Sequence, residues 1–432
     1  MKHNPNKPLR LKSAWSRLQL SSLLLSWALG LSTSAKLLAQ TAAQVPLQQL
    51  LNADGTLNLE RGRRGSVDMN GWQMATGPKG EPRFVPAGKA ASIKTPAQLM
   101  SVPDDANWDD RFFSNGVSGV VYALALDGSG NIYVGGFFTT AGNVIAYNIA
   151  KWDGSNWSAL GSGIYDGFVE ALAIDSYDNL YAGGSFNAAG GVSANGIAKW
   201  NGSSWSALGS GMDNGDIRAL AVDGSGNVYA GGSFNTAGGV SANSIAKWNG
   251  SSWSALGSGN GGFVEALAID SDDNLYAGGN FTTAGGVSVN YIAKWNGSSW
   301  SALGSGTENF VNALAVDSDD NVYVGGIFTS AGGVSANSIA KWNGSSWSAL
   351  GSGMSGSDPF TYIFALVADG SGNVYAGGNF TSAGGVSANH IAKWDGSNWS
   401  ALGSGINNGA SALAVDGIGN VYAGDPSRAR VV

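Results

Sequence analysis

The segment IRALAVDGSGNVYAGGSFNTAGGVSANSIAKWNGSSWSALG, residues 217–257, decides the fold. It holds four short apolar runs, Ile217–Val222, Asn227–Gly231, Ser244–Trp248 and Trp253–Leu256, which we name strands a, b, c and d. Turn chemistry separates them. Asp-Gly-Ser-Gly-Asn lies between a and b, and Asn-Gly-Ser-Ser lies between c and d. Both suit tight hairpins, because Gly and Asn adopt the left-handed backbone that such turns need. No stretch of the segment has helical periodicity. Four antiparallel strands in a unit of this length predict one blade of a β-propeller.

Outward from this unit the pattern recurs along the chain. The Asp that closes strand a stands at 127, 175, 223, 270, 317, 369 and 416, spaced by 48, 48, 47, 47, 52 and 47 residues. Paired tryptophans recur at 152/157, 200/205, 248/253, 295/300, 342/347 and 394/399. A fixed period of this size is one repeat architecture rather than a string of domains. A β-helix or solenoid is the competing reading, but its coils are ordinarily shorter and do not need four strands. Six complete units leave a partial one. The C-terminal end supplies a strand a (Ser411–Val415) and a strand b (Asn420–Ala423), and Asn107-Trp108 resembles an isolated strand d. Joined, they predict a seventh blade stitched from both ends, which removes the open sheet edges of a gapped ring. The alternative is six blades plus a partial one. No strand c for the last blade is evident where Gly424-Asp425-Pro426 replaces the usual Gly-Gly-x-Phe-Thr.

Composition narrows the chemistry. The 432 residues include 67 glycines, about twice the usual share, and only 12% charged residues. With 43% hydrophobic residues, the glycines belong to turns of a folded body rather than to a disordered linker. No cysteine is present, which excludes disulfides, thiolate metal sites and cysteine nucleophiles. Two histidines, His3 and His390, leave almost nothing for a histidine metal site or a Ser–His–Asp triad. A net charge of −7 argues against nucleic-acid binding, and nothing calls for a cofactor.

The N-terminus reads as an export signal. Five basic side chains, an apolar run from Leu18 to Leu31 and the small residues Ser32-Thr33-Ser34-Ala35 follow one another in that order. An anchoring transmembrane helix is the alternative, against which the run is short and broken by serines. Cleavage after Ala35 would take the net charge from −7 to −12. The expected organisation is a signal peptide at 1–35, a leader with one hairpin at 36–107, the propeller at 108–425 and a tail at 426–432. The leader strands are expected at Trp72–Thr76 and Arg83–Val85 around Gly77-Pro78-Lys79-Gly80.

The repeat Phe-Thr-x-Ala-Gly-Gly-Val-x-Ala-Asn-x-Ile-Ala-Lys-Trp-x-Gly-x-x-Trp-Ser-Ala-Leu-Gly-Ser-Gly resembles that of secreted bacterial propeller proteins with kelch- or NHL-like repeats. The Asp-x-x-Gly/Asp-Asn-x-Tyr-x-Gly-Gly turn is similar to that of NHL-type repeats, and residues 65–84 resemble the leader that often precedes them. The resemblance spans roughly residues 50 to 425 and implies an exported propeller. It brings no catalytic motif with it, and fold alone does not give function.

Candidate sites follow from where the repeats differ. The a–b and c–d turns share one propeller face and are nearly invariant. The b–c loops and d–a connections share the other, and the connections 164–170, 212–218, 260–265, 307–312, 354–364 and 406–411 vary most. A second variable position precedes Ile-Ala-Lys-Trp: Asn148, Gly196, Ser244, Tyr291, Ser338 and His390. Variable loops on a rigid scaffold are where recognition usually sits. Asp358, Phe360, Tyr362, Tyr291 and His390 are therefore the expected ligand contacts, with unconstrained drift as the competing reading. The recurring Trp pairs could stack on sugars, but residues identical in every blade are expected to pack between blades. The preceding Lys is expected to lie along a Trp or pair with an acidic neighbour. The seven Asp could line a cation site, with Asp-x-Asp-x-Asn at 270–274 and 317–321, or could serve as Asx-turn acceptors.

These features predict a non-catalytic binding scaffold, monomeric, whose partner is a protein or a surface glycan. Two alternatives stand beside it. A glycosidase or lyase could use carboxylates, for which Asp213, Asp216, Glu308 and Asp358 lie outside the repeat pattern, but it would need two in one pocket. A purely structural envelope component would bind nothing through these loops.

Overall fold

In the computed structural model the described residues are 116–213, 216–356 and 361–424, with the short strands 45–46, 67–68, 72–76 and 82–86. The expected signal segment, the strand at Trp108, Asp358, Phe360 and the tail at 426–432 lie outside the described residues. The chain divides into two units, Met1–Ser101 and Val102–Val432. In the first, Trp72–Thr76 pairs antiparallel with Pro82–Pro86, the expected leader hairpin.

The second unit is a β-propeller of seven blades. Blade 3 shows the pattern: strand a Asp216–Val222, b Val228–Ser233, c Ile245–Trp248 and d Trp253–Ala255, ordered a-b-c-d in one antiparallel sheet. Blades 1, 2, 4, 5 and 6 repeat it, with strands a at Val120–Leu126, Phe168–Ile174, Phe263–Ile269, Val311–Val316 and Ile363–Ala368. Blade 7 is described by a (Ala412–Val415) and b (Val421–Gly424). Strand bounds differ from the sequence reading by one or two residues. Ser244, placed at the start of strand c, has φ 61° and so precedes the strand. In blades 1 to 6 each b–c loop also carries a two-residue-by-two-residue hairpin that the sequence reading did not foresee. In blade 3 it is Thr236–Ala237 with Val240–Ser241, turning on Gly238 and Gly239 at φ 58° and 80°. Two successive positive-φ residues are what this tight turn requires.

The ring closes by repeating one contact. The first glycine of strand b lies flat under a Val or Ile of the next blade's strand a. A Cβ on Gly183 of blade 2 would sit 2.6 Å from Ile217 Cγ2 of blade 3. A Cβ on Gly424 of blade 7 would likewise sit 2.6 Å from Val121 Cγ1 of blade 1. Ser411 Oγ of blade 7 also donates to Val121 O at 2.6 Å. The apolar cores are correspondingly between blades. Tyr133, Ile149 and Leu160 of blade 1 cluster with Leu180, Trp200 and Trp205 of blade 2, and Ala412 and Tyr422 of blade 7 pack against the blade 1 cluster. At the start of blade 1, Gly142 N donates to Gly116 O at 3.0 Å, as Gly190 N donates to Gly163 O after a strand d elsewhere.

The Trp pairs hold these interfaces together. The two rings of each pair lie 5.3–5.5 Å apart and tilted. The second indole reaches across to the preceding blade: Trp205 Nε1 donates to Leu160 O at 2.8 Å, and Trp253, Trp300, Trp347 and Trp399 repeat the bond. A buried indole N–H needs such a partner, and here its acceptor belongs to the neighbouring blade.

Two outcomes follow for stability. Gly183→Val and Gly424→Val should each destabilise by about 2 kcal/mol through overpacking, read as lowered thermal midpoints; a silent Gly424→Val beside a damaging Gly183→Val would mean the ring is open. Trp205→Phe should cost about 1–3 kcal/mol, because Leu160 O is left buried without its donor. Chemical denaturation against wild type checks it.

Candidate functional site

A bulge in strand a builds the site. In six blades the a–b register slips by one residue at the same place, after the buried Val or Ile and before Ala-Leu. The bulged residue opposes no partner, bends the strand and is re-aimed, as bulges do. The second glycine of strand b permits it: at Gly184 an added Cβ would run into the backbone oxygen of Phe168. The bulged residues are Tyr122, Glu170, Arg218, Glu265, Asn312 and Phe364, with Ser411 as their counterpart in blade 7. Their flanks hardly vary while they differ almost completely. From Glu170 onward, each is the last residue of one of the variable connections.

Strand a of all seven blades lines the central channel, a cavity of about 180 Å³; Tyr122, Glu170, Arg218 and Phe364 are the bulged residues on its wall, and the remaining lining is Ala and Leu of the same strands. The larger side chains at its mouth are of two chemistries. Across blades 2 to 4, Arg218 Nη2 lies 2.9 Å from Asp216 Oδ2 and Nη1 bonds Glu265 Oε1. Glu170 stands beside them with Oε2 buried and without a hydrogen-bond partner. Burial first, then the neighbouring Asp216, push the Glu170 carboxyl up to about 8, against the pull of Arg218. The rest of the collar is aromatic. Tyr122 meets Phe168 edge-on at 6.1 Å, Phe364 stacks on Tyr362 at 5.9 Å, and the Arg218 guanidinium lies 5.3 Å over Phe263. Tyr122, Phe263 and Phe364 are 39%, 45% and 40% exposed, whereas the repeat tryptophans are buried or nearly so.

Of the expected ligand contacts, the structure describes three. Tyr362 belongs to the collar, and Tyr291 packs edge-on against Phe310 at 5.5 Å. His390 donates from Nδ1 to Gly378 O at 3.1 Å, behind Tyr362. Tyr291 and His390 share a constraint invisible in the sequence. The position before strand c is left-handed in every complete blade, φ 61–64° at Asn148, Ser244, Tyr291, Ser338 and His390 and 71° at Gly196. An L-residue there costs about 1–2 kcal/mol. Backbone bonds on both sides hold it: Tyr291 N donates to Phe281 O and Gly279 N donates to Tyr291 O, both at 3.0 Å. Side chains at this position also brace neighbouring loops. Asn148 Nδ2 reaches Ile164 O and Gly167 O, and Ser338 Oγ reaches Thr361 O at 2.9 Å.

The carboxylates outside the repeat pattern separate by role. Asp213 accepts from Asn235 N and Thr236 N, and Glu308 accepts from the Thr329 amide and hydroxyl. The Thr329 bonds hold the Glu308 carboxyl below its usual range. Each clamps the b–c loop of its own blade. Among the described residues only Asp216 of the four joins the channel cluster, and its carboxylate partners, Glu170 and Glu265, sit one blade away in sequence. The variation at the bulge was the signal that could have found them. A second cavity, about 480 Å³, lies between Glu308, Thr329, Ser338, Met354 and Thr361.

The seven Asp act as turn acceptors. Asp223 Oδ1 takes the amides of Ser225 and Asn227, and Oδ2 takes Asn227 Nδ2 at 2.7 Å and the Tyr229 hydroxyl at 3.2 Å. Burial opposes ionisation, but these donors and Lys247 at 3.5 Å outweigh it and hold the carboxyl below its usual range. Lys247 also lies 5.0 Å over the Tyr229 ring, so the repeat lysine pairs with Asp and Tyr rather than with Trp. Among the described residues no group of three potential ligands could hold a metal ion.

Residues 202–363 match the family model of the Rax2 C-terminal beta propeller domain. No curated protein matches the chain. Among solved structures it is similar to virginiamycin B lyase from Staphylococcus aureus, at 11% identity over 72% of this chain and 95% of that one, TM-score 0.49. It is also similar to PorZ, a surface component of the type-IX secretion system of Porphyromonas gingivalis, at 15% identity over 80% and 49% of the two chains, TM-score 0.48. The extracellular domain of BT4673 from B. thetaiotaomicron gives 14% identity and TM-score 0.47; this chain spans 39% of its length.

The raised Glu170 has a stability consequence with a definite sign. Its folded value lies above the ordinary 4.5, so the folded state holds a proton that the unfolded state has released. Its contribution is therefore favourable below about 4.5 and is lost as pH rises toward 8. Wild type should lose stability relative to Glu170→Gln across that window, and parallel urea midpoints for the two proteins would refute the assignment.

Proposed function

We propose that this chain is a secreted or cell-surface propeller that binds a partner, a protein or a surface glycan, without chemistry, through the face carrying its b–c loops and d–a connections. The observation that carries the reading is the contrast at the bulge: blades otherwise near-identical differ there, and place Tyr122, Glu170, Arg218 and Phe364 around one channel mouth. A rigid scaffold with variation confined to one rim suits recognition. Export is supported by the basic, apolar and small-residue order of the N-terminus. Tyr362, Tyr291 and His390 fit the same face. Tyr291 and His390 keep bulky side chains where glycine would relieve the backbone, as binding residues often do. Asp358 and Phe360 stay in the proposal as members of the longest connection.

The test uses a variant whose bulged residues are all changed to asparagine, the residue of blade 5. Immobilised native protein should retain material from envelope extracts or surface polysaccharide that the variant, folded by circular dichroism, does not. Equal retention by both would defeat the reading and favour a purely structural component. Turnover of a polysaccharide by the native protein would favour a carboxylate-based glycosidase or lyase instead.

A further inference from the structure

We propose that the channel mouth receives a single basic side chain, a lysine or arginine presented on an extended segment of a partner protein. Its charged head would sit against Glu170 and, beside Arg218, Glu265, and its aliphatic stem would lie on Tyr122 and Phe364, the aromatic residues that line the cavity. This rests on the recognition reading above and deepens it by naming the occupant.

Charge, surface and size point the same way. The cluster on blades 2 to 4 sets three carboxyl groups against one guanidinium, so it is short of cation. Arg218 already shows what the site accepts: its guanidinium is bound by two carboxylates and lies over an aromatic face. Exposed aromatics grouped around a concavity, in a fold that buries its tryptophans, mark a contact surface. A cavity of about 180 Å³ admits a side chain but not a folded domain or a branched glycan. Tyr122 on blade 1 and Phe364 on blade 6 lie to one side of the acidic arc on blades 2 to 4, matching a residue with an apolar body and a charged tip.

Protonation supplies a signature that simple surface attraction lacks. Glu170 faces Asp216 and Arg218 on blade 3 and Glu265 on blade 4, and burial beside Asp216 keeps its proton on at neutral pH. A cation arriving at the cluster lowers that value, so binding at pH 7 releases a proton and tightens as pH rises toward 8.

The test titrates the full chain with an acetylated Gly-Gly-Lys-Gly-Gly amide and with the same peptide carrying norleucine, which keeps the stem and removes the charge. The lysine peptide should bind roughly tenfold tighter than the norleucine peptide, and Glu170→Gln/Glu265→Gln should remove that advantage. Asp272→Asn/Asp319→Asn, on the a–b turns of the opposite face, should leave it within about twofold. Calorimetry in two buffers of different ionisation heat should show proton release with wild type and none with Glu170→Gln. Equal binding by the channel variant and wild type would overturn the proposal, since the attraction would then be to the acidic surface at large. Failure of the lysine peptide while envelope material still distinguishes native protein from the asparagine variant would overturn the basic occupant and leave the recognition face standing. Failure of both would remove both.

Discussion

The close approach of each strand b glycine to the next blade's strand a is the constraint on which the rest depends. With no Cβ at Gly183 or Gly424, the Val or Ile of the following blade drops onto bare backbone, and successive sheets pack face to face. Repeated from Gly135 to Gly424, the contact fixes the angle between blades and so the number needed to close the ring. One interface is softer: Ala410 replaces the Val or Ile between blades 6 and 7, with a core of only a few residues beneath it. Each blade buries its apolar faces only against its neighbours, so no blade is stable by itself.

Packing that tight leaves little freedom for change, which is why the repeats are so alike. The Trp pair bridges to the preceding blade, the Asp is saturated by turn amides, Asn and Tyr, and the Lys is committed to Asp and Tyr. Substituting any of these strands a buried partner in another strand or another blade. The bulged residue escapes this coupling. It pairs with nothing across the sheet, and at Tyr122, Glu170, Arg218 and Phe364 it lines the channel, so its identity is free to follow what the channel must do. The left-handed position before strand c is intermediate: its backbone is fixed, while its side chain is free to brace a loop or to face outward.

The channel mouth is consequently asymmetric within a nearly symmetric body. Glu170, Asp216, Arg218 and Glu265 gather charge on blades 2 to 4, while Tyr122, Tyr362 and Phe364 give blades 1 and 6 an apolar surface. A repeat scaffold can reach this because the bulged position pairs with no residue across its own sheet. Partial burial strengthens the interactions among the charges, and Glu170 takes up a proton where its acceptor oxygen finds no donor.

Much of this was legible in the sequence. A period of 47–52 residues and hairpin turns between apolar runs determined a β-propeller of four-stranded blades, because turn chemistry and strand alternation are local. Asx-turn aspartates, tryptophans between blades and the leader hairpin at Trp72–Thr76 were readable for the same reason. The bulge was not, since a one-residue slip depends on the partner strand and on a glycine a dozen or so positions away. Nor was the left-handed backbone under Tyr291 and His390, which bonds to two strands at once force. The meeting of Glu170, Asp216, Arg218 and Glu265 was decided by tertiary structure alone. Residues 46 to 49 apart become neighbours only because consecutive blades turn their innermost strands toward one axis.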